Sequence, residues 1–144
     1  QYAIEKAGPG GEVAGVDVTR PESVLSPGFT FIQGDVLDMD AERLACDVGT
    51  RDLVLSDLAP ATTGIRSTDA VRSTRLAGRA LEIALKVLRT GGHFVCKVFE
   101  GQDLKPFKEE ASGHFQQIRL FRPSAVRKGS REVYIIGLSM RRRM

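Results

Sequence analysis

The sequence predicts an α/β fold in which a doubly wound parallel sheet carries helices on its faces. Short apolar runs that are typical of strands, such as residues 53–55, alternate with segments that have helical spacing. Three of these runs end in an acidic residue, at Asp17, Asp35 and Asp57. Because open α/β sheets bind their ligands at the carboxyl ends of the strands, these acids indicate where a site is expected.

The stretch DLVLSDLAPATTG, residues 52–64, is the one around which the prediction is built. Its apolar start favours a buried strand, and Pro60 cannot continue that strand, so Asp57 falls at the carboxyl end. An acid beside a proline-stiffened loop at that position is a candidate site residue. A plain strand-ending turn with a solvated aspartate would give the same pattern.

The other elements follow from apolar spacing and from turn residues. In chain order they are a helix end at 1–6, strands at 12–16 and 29–32, a short helix at 41–45, a long helix at 70–88 capped by Asp69, a strand at 93–99, a helix at 104–112, and strands at 115–121 and 132–138. All connections are short, which predicts a single domain over residues 1–144.

Lys97 interrupts the otherwise apolar strand at residues 93–99. A lysine in a buried strand costs free energy unless it is paired or has a function, so Lys97 is a second candidate site residue. The alternative is an edge-strand lysine that faces water.

The net charge of +3 conceals a strong asymmetry between the two halves of the chain. Residues 1–71 carry five basic and twelve acidic side chains, whereas residues 72–144 carry sixteen basic and six acidic ones. A basic half predicts a polyanionic partner, nucleic acid rather than a membrane. An arginine-rich solvated surface is the alternative interpretation.

Neither a membrane span nor a disulfide framework is expected. No apolar run approaches the roughly 20 residues that a spanning helix needs. The two cysteines, Cys46 and Cys96, lack the spacing of metal or redox motifs, so we expect no metal site and a reducing, cytoplasmic compartment.

Three motifs occur together in a fixed order: SDLAP with Asp57, VCKVFEG with Lys97 and SREVYIIG with Glu132. They are accompanied by GVD at 15–17, QGD at 33–35 and the basic run RPSAVRKGSRE. Over essentially the whole chain this pattern resembles the FtsJ/RrmJ-type RNA 2′-O-ribose methyltransferases. The resemblance implies a doubly wound, Rossmann-like S-adenosylmethionine-dependent methyltransferase sheet whose last strand is antiparallel.

The resemblance also implies roles for five acidic and basic residues. Asp17 corresponds to the acid near the ribose of S-adenosyl-L-methionine, and Asp35 to the acid on the adenine side. Asp57 corresponds to an acid that lies near the methionine end and belongs to a catalytic Lys-Asp-Lys-Glu tetrad. Lys97 corresponds to the central lysine of that tetrad and Glu132 to its glutamate.

The family's first strand, its glycine-rich cofactor loop and the first tetrad lysine have no counterpart in this chain. The resemblance therefore implies a single methyltransferase domain that is incomplete at its N-terminus. In the family's sheet the missing strand is central, so we expect a break between the strands on its two sides.

The implied reaction is methylation of a ribose 2′-hydroxyl in RNA, with a uridine of large-subunit ribosomal RNA as the target and the protein acting as a monomer. Arg127, Lys128 and Arg131 flank Glu132, so a phosphate backbone bound there would pass beside the tetrad. Two alternatives remain, a non-catalytic RNA-binding domain or inactive fragment and a methyltransferase for a small molecule.

The sequence leaves the protonation state of Lys97 open. Burial lowers the pKa of a lysine, whereas nearby Asp57 and Glu132 would raise it. A neutral Lys97 could act as a general base, and a charged one could only orient the hydroxyl.

Overall fold

The structure, a computed structural model, describes residues 1–22, 26–124 and 131–143. The chain divides into two compact units, Gln1–Asp40 and Ala41–Met144. Among the described residues, no helix is both long enough and apolar enough to cross a membrane.

The first unit contains one short helix and two parallel strands. Helix α1 spans Tyr2–Ala7, strand β1 spans Val13–Asp17 and strand β2 spans Phe29–Gln33. The two strands pair in register from Val13 opposite Phe29 to Asp17 opposite Gln33. Both strands and the helix were predicted, with bounds that differ by at most one residue.

The second unit contains a four-stranded mixed sheet with helices. Its elements are α2 (Ala41–Val48), β3 (Arg51–Ser56), α3 (Arg66–Val87), β4 (Leu88–Phe99), α4 (Leu104–Ser112), β5 (Phe115–Phe121) and β6 (Glu132–Met140). The strand order is β3-β4-β6-β5. β3 and β4 are parallel, and β6 runs antiparallel to both of its neighbours, which confirms the expected antiparallel last strand.

The core of the second unit lies on one face of this sheet. Alternate residues of β4, Phe94, Cys96 and Val98, are fully buried there because successive side chains of a strand point to opposite faces. The buried side of α3 is rich in small residues, which lets the helix approach closely; the core residues of α3 are Ala77, Ala80, Leu81 and Ala84. This packing leaves the opposite face of β4, with Lys97, available for a site.

The long helix begins earlier than the sequence predicted. α3 starts at Arg66 rather than at 70, so the prediction that Asp69 caps the helix is wrong: Asp69 lies inside the first turn. β4 likewise starts at Leu88, directly after the helix, rather than at 93. Gly91, with φ of 81°, supplies a left-handed turn residue within the strand, and the pairing with β3 shifts register at that level.

Within the described residues the two sheets share no hydrogen-bonded strand pair. On β3, Leu53 and Leu55 are exposed. A single domain over residues 1–144 stays a prediction.

Candidate active site

Lys97 is the centre of a charged cluster on the sheet face opposite the core. Its side chain is only 11% exposed, and its Nζ lies 2.9 Å from Oδ1 of Asp57 and 3.8 Å from Oε1 of Glu132. The structure therefore brings together the three residues that the motifs assigned to the catalytic tetrad. A largely buried ammonium with two carboxylates is the paired arrangement that a lysine in an apolar strand requires.

The sheet topology explains this convergence. Ser56, the last residue of β3, pairs with Cys96 in parallel, so Asp57 emerges beside Lys97. Glu132 is the first residue of the antiparallel β6 and pairs with Phe99 of β4. The carboxyl ends of the parallel strands β3 and β4 thus lie beside the amino end of the antiparallel strand β6. α/β folds bind their ligands at the carboxyl ends of parallel strands.

The surroundings of Lys97 determine its charge. Burial acts to lower the pKa of Lys97, but a hydrogen bond with Asp57 and the charges of Asp57, Glu132 and Tyr134 outweigh that effect. The pKa of Lys97 is raised above its ordinary value as a result. In this environment Lys97 is an ammonium at neutral pH, which the sequence alone could not decide.

Tyr134 is a residue of this cluster that the sequence prediction missed. It lies directly opposite Lys97 in the β4–β6 ladder, and its ring is tilted against the ring of Phe121. The available signal was its spacing, because Tyr134 follows Glu132 by two residues and side chains at that interval share a face of a strand.

Cys96 precedes Lys97 but points into the core. Burial raises the pKa of the Cys96 thiol to about 12, and the nearby charge of Asp57 adds to the rise. The thiol is therefore protonated at neutral pH and unsuited to act as a nucleophile.

The two acids predicted to bind a cofactor lie in the first unit, at one end of its strand pair. Asp17 is the last residue of β1, and Asp35 follows β2 by two residues. Oδ1 of Asp17 accepts a hydrogen bond from the backbone N–H of Thr19 at 3.1 Å, and Oδ1 of Asp35 accepts one from Leu37 at 2.9 Å. Both carboxylates are exposed.

Of the three predicted RNA-binding residues, Arg127 and Lys128 lie outside the described residues. Arg131 is half-buried, with its guanidinium over the ring of Phe99 at 5.6 Å from the centroid. Its Nη1 also donates a hydrogen bond to the backbone carbonyl of Arg66 at 2.8 Å. An RNA contact by Arg131 stays a prediction, because these contacts show a structural role.

Comparison with known proteins is consistent with this geometry. The sequence model of the FtsJ-like methyltransferase family matches residues 1–140. The chain is 44% identical over 138 residues to ribosomal RNA large subunit methyltransferase E of Desulfosudis oleivorans, covering 96% of this chain and 67% of that protein. It is 41% identical over 146 residues to the protein of the same name from Myxococcus xanthus, covering 98% and 67%.

Solved structures show the same fold. A Plasmodium falciparum protein described as a ribosomal RNA methyltransferase superposes with a TM-score of 0.77 at 22% identity, over 92% of this chain and 74% of that one. Human methyltransferase-like protein 13, solved with SAH, superposes with a TM-score of 0.64 at 13% identity, over 96% and 65%. The family model that matches residues 1–140, together with the 44% identity to the Desulfosudis oleivorans protein, establishes that the chain belongs to the FtsJ-like methyltransferase family.

Proposed function

We propose that this chain carries the catalytic centre of an S-adenosyl-L-methionine-dependent methyltransferase that modifies a ribose 2′-hydroxyl of ribosomal RNA. The observation that supports the proposal most is the cluster of Lys97, Asp57 and Glu132, held within 3.8 Å of one ammonium at the ligand-binding edge of the sheet. The curated relatives, named for ribosomal RNA of the large subunit, support the choice of substrate.

The carboxylates suit the proposed cofactor. The side chain of Asp57 is 76% exposed although it pairs with Lys97, so a cationic sulfonium could approach its free side. The exposed carboxylates of Asp17 and Asp35 are hydrogen-bond acceptors of the kind that ribose hydroxyls and an adenine amino group need. When bound, S-adenosyl-L-methionine would supply an activated methyl group on its sulfonium.

The protein's part in the reaction is to hold and polarise the hydroxyl. As an ammonium, Lys97 could donate a hydrogen bond to the ribose oxygen and stabilise the negative charge that develops there as the hydroxyl proton passes to solvent water. Asp57 holds the ammonium in place, and Glu132 adds a second carboxylate on its other side. These residues therefore orient the nucleophile, and Lys97 does not need to become neutral.

A uridine of large-subunit ribosomal RNA is the proposed target, and a monomer acting in the cytoplasm is the proposed form of the enzyme. The proposed cytoplasmic location rests on the two cysteines without a disulfide framework and on the ribosomal RNA substrate that the relatives' names indicate. Arg127 and Lys128 remain the proposed contacts to the RNA backbone, on the basis of their position in the sequence beside Glu132.

The test is transfer of labelled methyl groups from S-adenosyl-L-methionine to ribosomal RNA by the full-length protein. We expect label in RNA of the large subunit, at a nucleotide whose 3′ linkage resists alkaline hydrolysis because its 2′-oxygen carries the methyl group. Label on a base, or on no RNA, would contradict the proposal. RNA binding without cofactor binding in calorimetry would support the alternative of a non-catalytic RNA-binding domain.

A further inference from the structure

Asp69 is a buried charge that the proposed reaction does not use. It lies in the first turn of α3 and is only 2% exposed. Its Oδ1 accepts hydrogen bonds from the backbone N–H and the hydroxyl of Thr63, both at 2.8 Å, and its Oδ2 accepts one from the backbone N–H of Gly64 at 3.2 Å. All three bonds reach back into the loop between β3 and α3.

That loop is the segment that begins with Asp57. The side chain of Asp57 is 76% exposed, so its own burial does not fix it. The position of Asp57 depends on the packing of its neighbour Leu58 against the core and on the backbone at either end of the loop. The amino end is fixed by the pairing of Ser56 with Cys96 in the sheet. The three hydrogen bonds to Asp69 fix the carboxyl end, at Thr63 and Gly64.

Arg131 connects the same region to Glu132. The guanidinium of Arg131 donates a hydrogen bond to the backbone carbonyl of Arg66, at the start of α3. Its positive charge also lowers the pKa of Asp69, although less than the hydrogen bonds from Thr63 and Gly64 do. The backbone carbonyl of Arg131 accepts a hydrogen bond from Glu100 at 2.8 Å. The first turn of α3 is therefore tied to the strand that carries Glu132 as well as to the loop that carries Asp57.

We propose that Asp69 is a positioning residue whose carboxylate clamps the loop after Asp57 and thereby holds Asp57 against the Lys97 ammonium. The expected effect on catalysis rests on the proposed function. The hydrogen bonds by which Asp69 clamps the loop are a property of the folded chain alone. The negative charge of Asp69 matters because three hydrogen-bond donors converge on its two carboxylate oxygens. An asparagine offers one acceptor oxygen and would turn N–H groups toward one of these donors.

The experiment compares four variants of the full-length protein. Asp69→Asn removes the charge, Thr63→Val removes one of the three donors, and Thr63→Ser restores that donor. Val87→Ala serves as the matched control, because Val87 is buried at the far end of the same helix and its truncation destabilises α3 without contacting the loop. The readouts are kcat and KM for ribosomal RNA, the thermal midpoint, and hydrogen exchange of the Thr63 and Gly64 amides.

We expect Asp69→Asn to lower kcat by about 100-fold, the scale associated with an ångström of misplacement, with little change in KM. Thr63→Val should lower kcat less, and Thr63→Ser should return it to the wild-type value. Val87→Ala should lower the thermal midpoint while leaving kcat intact below that midpoint. The two amides should exchange faster in Asp69→Asn than in the wild type.

A wild-type kcat in Asp69→Asn, or a loss of kcat in Val87→Ala that matches its loss of stability, would overturn the positioning role. Unchanged exchange at Thr63 and Gly64 would overturn the clamp. If the wild-type protein transfers no methyl group to RNA, the proposed function fails, and the exchange measurement still decides whether Asp69 holds the loop.

Discussion

The Nζ atom of Lys97 lies 2.9 Å from Oδ1 of Asp57 but 3.8 Å from Oε1 of Glu132. The first distance is that of a charge-assisted hydrogen bond, and the second is that of an ion pair without a direct hydrogen bond. The two carboxylates therefore hold the ammonium unequally, and Asp57 has the larger part in its orientation.

This inequality predicts unequal effects of neutralising the two carboxylates. The loss of kcat in Asp57→Asn should be roughly ten times the loss in Glu132→Gln or more, because Asp57→Asn weakens the hydrogen bond that orients Lys97. Steady-state methyl transfer by the two variants measures the difference. Equal losses of kcat, or a larger loss in Glu132→Gln, would contradict the unequal roles.

The raised pKa of Lys97 predicts the shape of the pH–rate profile. Because the reaction as proposed uses the ammonium and the pKa of Lys97 is raised, kcat should need no deprotonation of Lys97 and should not rise with pH through the neutral and mildly alkaline range. The measurement is single-turnover transfer from about pH 6 to pH 10.5. A rise of one logarithmic unit per pH unit through neutral pH that disappears in Lys97→Arg would show a neutral lysine acting as the base instead.

Alternation and strand ends are local properties, and they marked Asp57 and Lys97 as separate candidates. The resemblance to the family is what grouped these two residues with Glu132 before the structure did. The protonation state of Lys97 could not be predicted. It depends on the balance between burial and two carboxylates whose distances only the folded chain defines.

The helix start was missed for a physical reason. Ile65 precedes α3 with an extended backbone and provides no side-chain cap, so the usual cap signal is absent from the sequence. Asp69 looked like that cap. Its carboxylate does accept backbone N–H groups, but from Thr63 and Gly64 in the loop before the helix, a spacing that differs from that of a helix cap.

Asp69 should also shape the acid stability of the protein. Hydrogen bonds from Thr63, against the opposing effect of burial, hold the pKa of Asp69 below its ordinary value, so its stabilising contribution is present above the unfolded-state pKa. That contribution is lost as the pH falls through the folded-state pKa. The stability difference between wild type and Asp69→Asn should therefore shrink from about pH 5 to pH 2, as measured by urea unfolding. A difference that is constant over this range would contradict the lowered pKa.

The two cysteines should differ sharply in reactivity. Cys46 is exposed, whereas Cys96 is buried with its pKa raised to about 12. At about pH 8 a thiol reagent should label Cys46 quickly in the folded protein and Cys96 only after denaturation. Cys46→Ser should abolish the fast phase. Rapid labelling of the folded Cys46→Ser variant at Cys96 would show that the core beside Lys97 is more open than the structure indicates.

The central claim is that the ammonium of Lys97, with Asp57 and Glu132 around it, orients and polarises the ribose hydroxyl for methyl transfer. Single-turnover transfer by Lys97→Met in the full-length protein tests it most directly, with cofactor binding followed by calorimetry and folding by thermal unfolding. We predict a transfer rate lower by a factor on the order of 10² to 10³, with cofactor affinity and thermal midpoint close to the wild-type values. Transfer at the wild-type rate would show that the reaction takes place without Lys97.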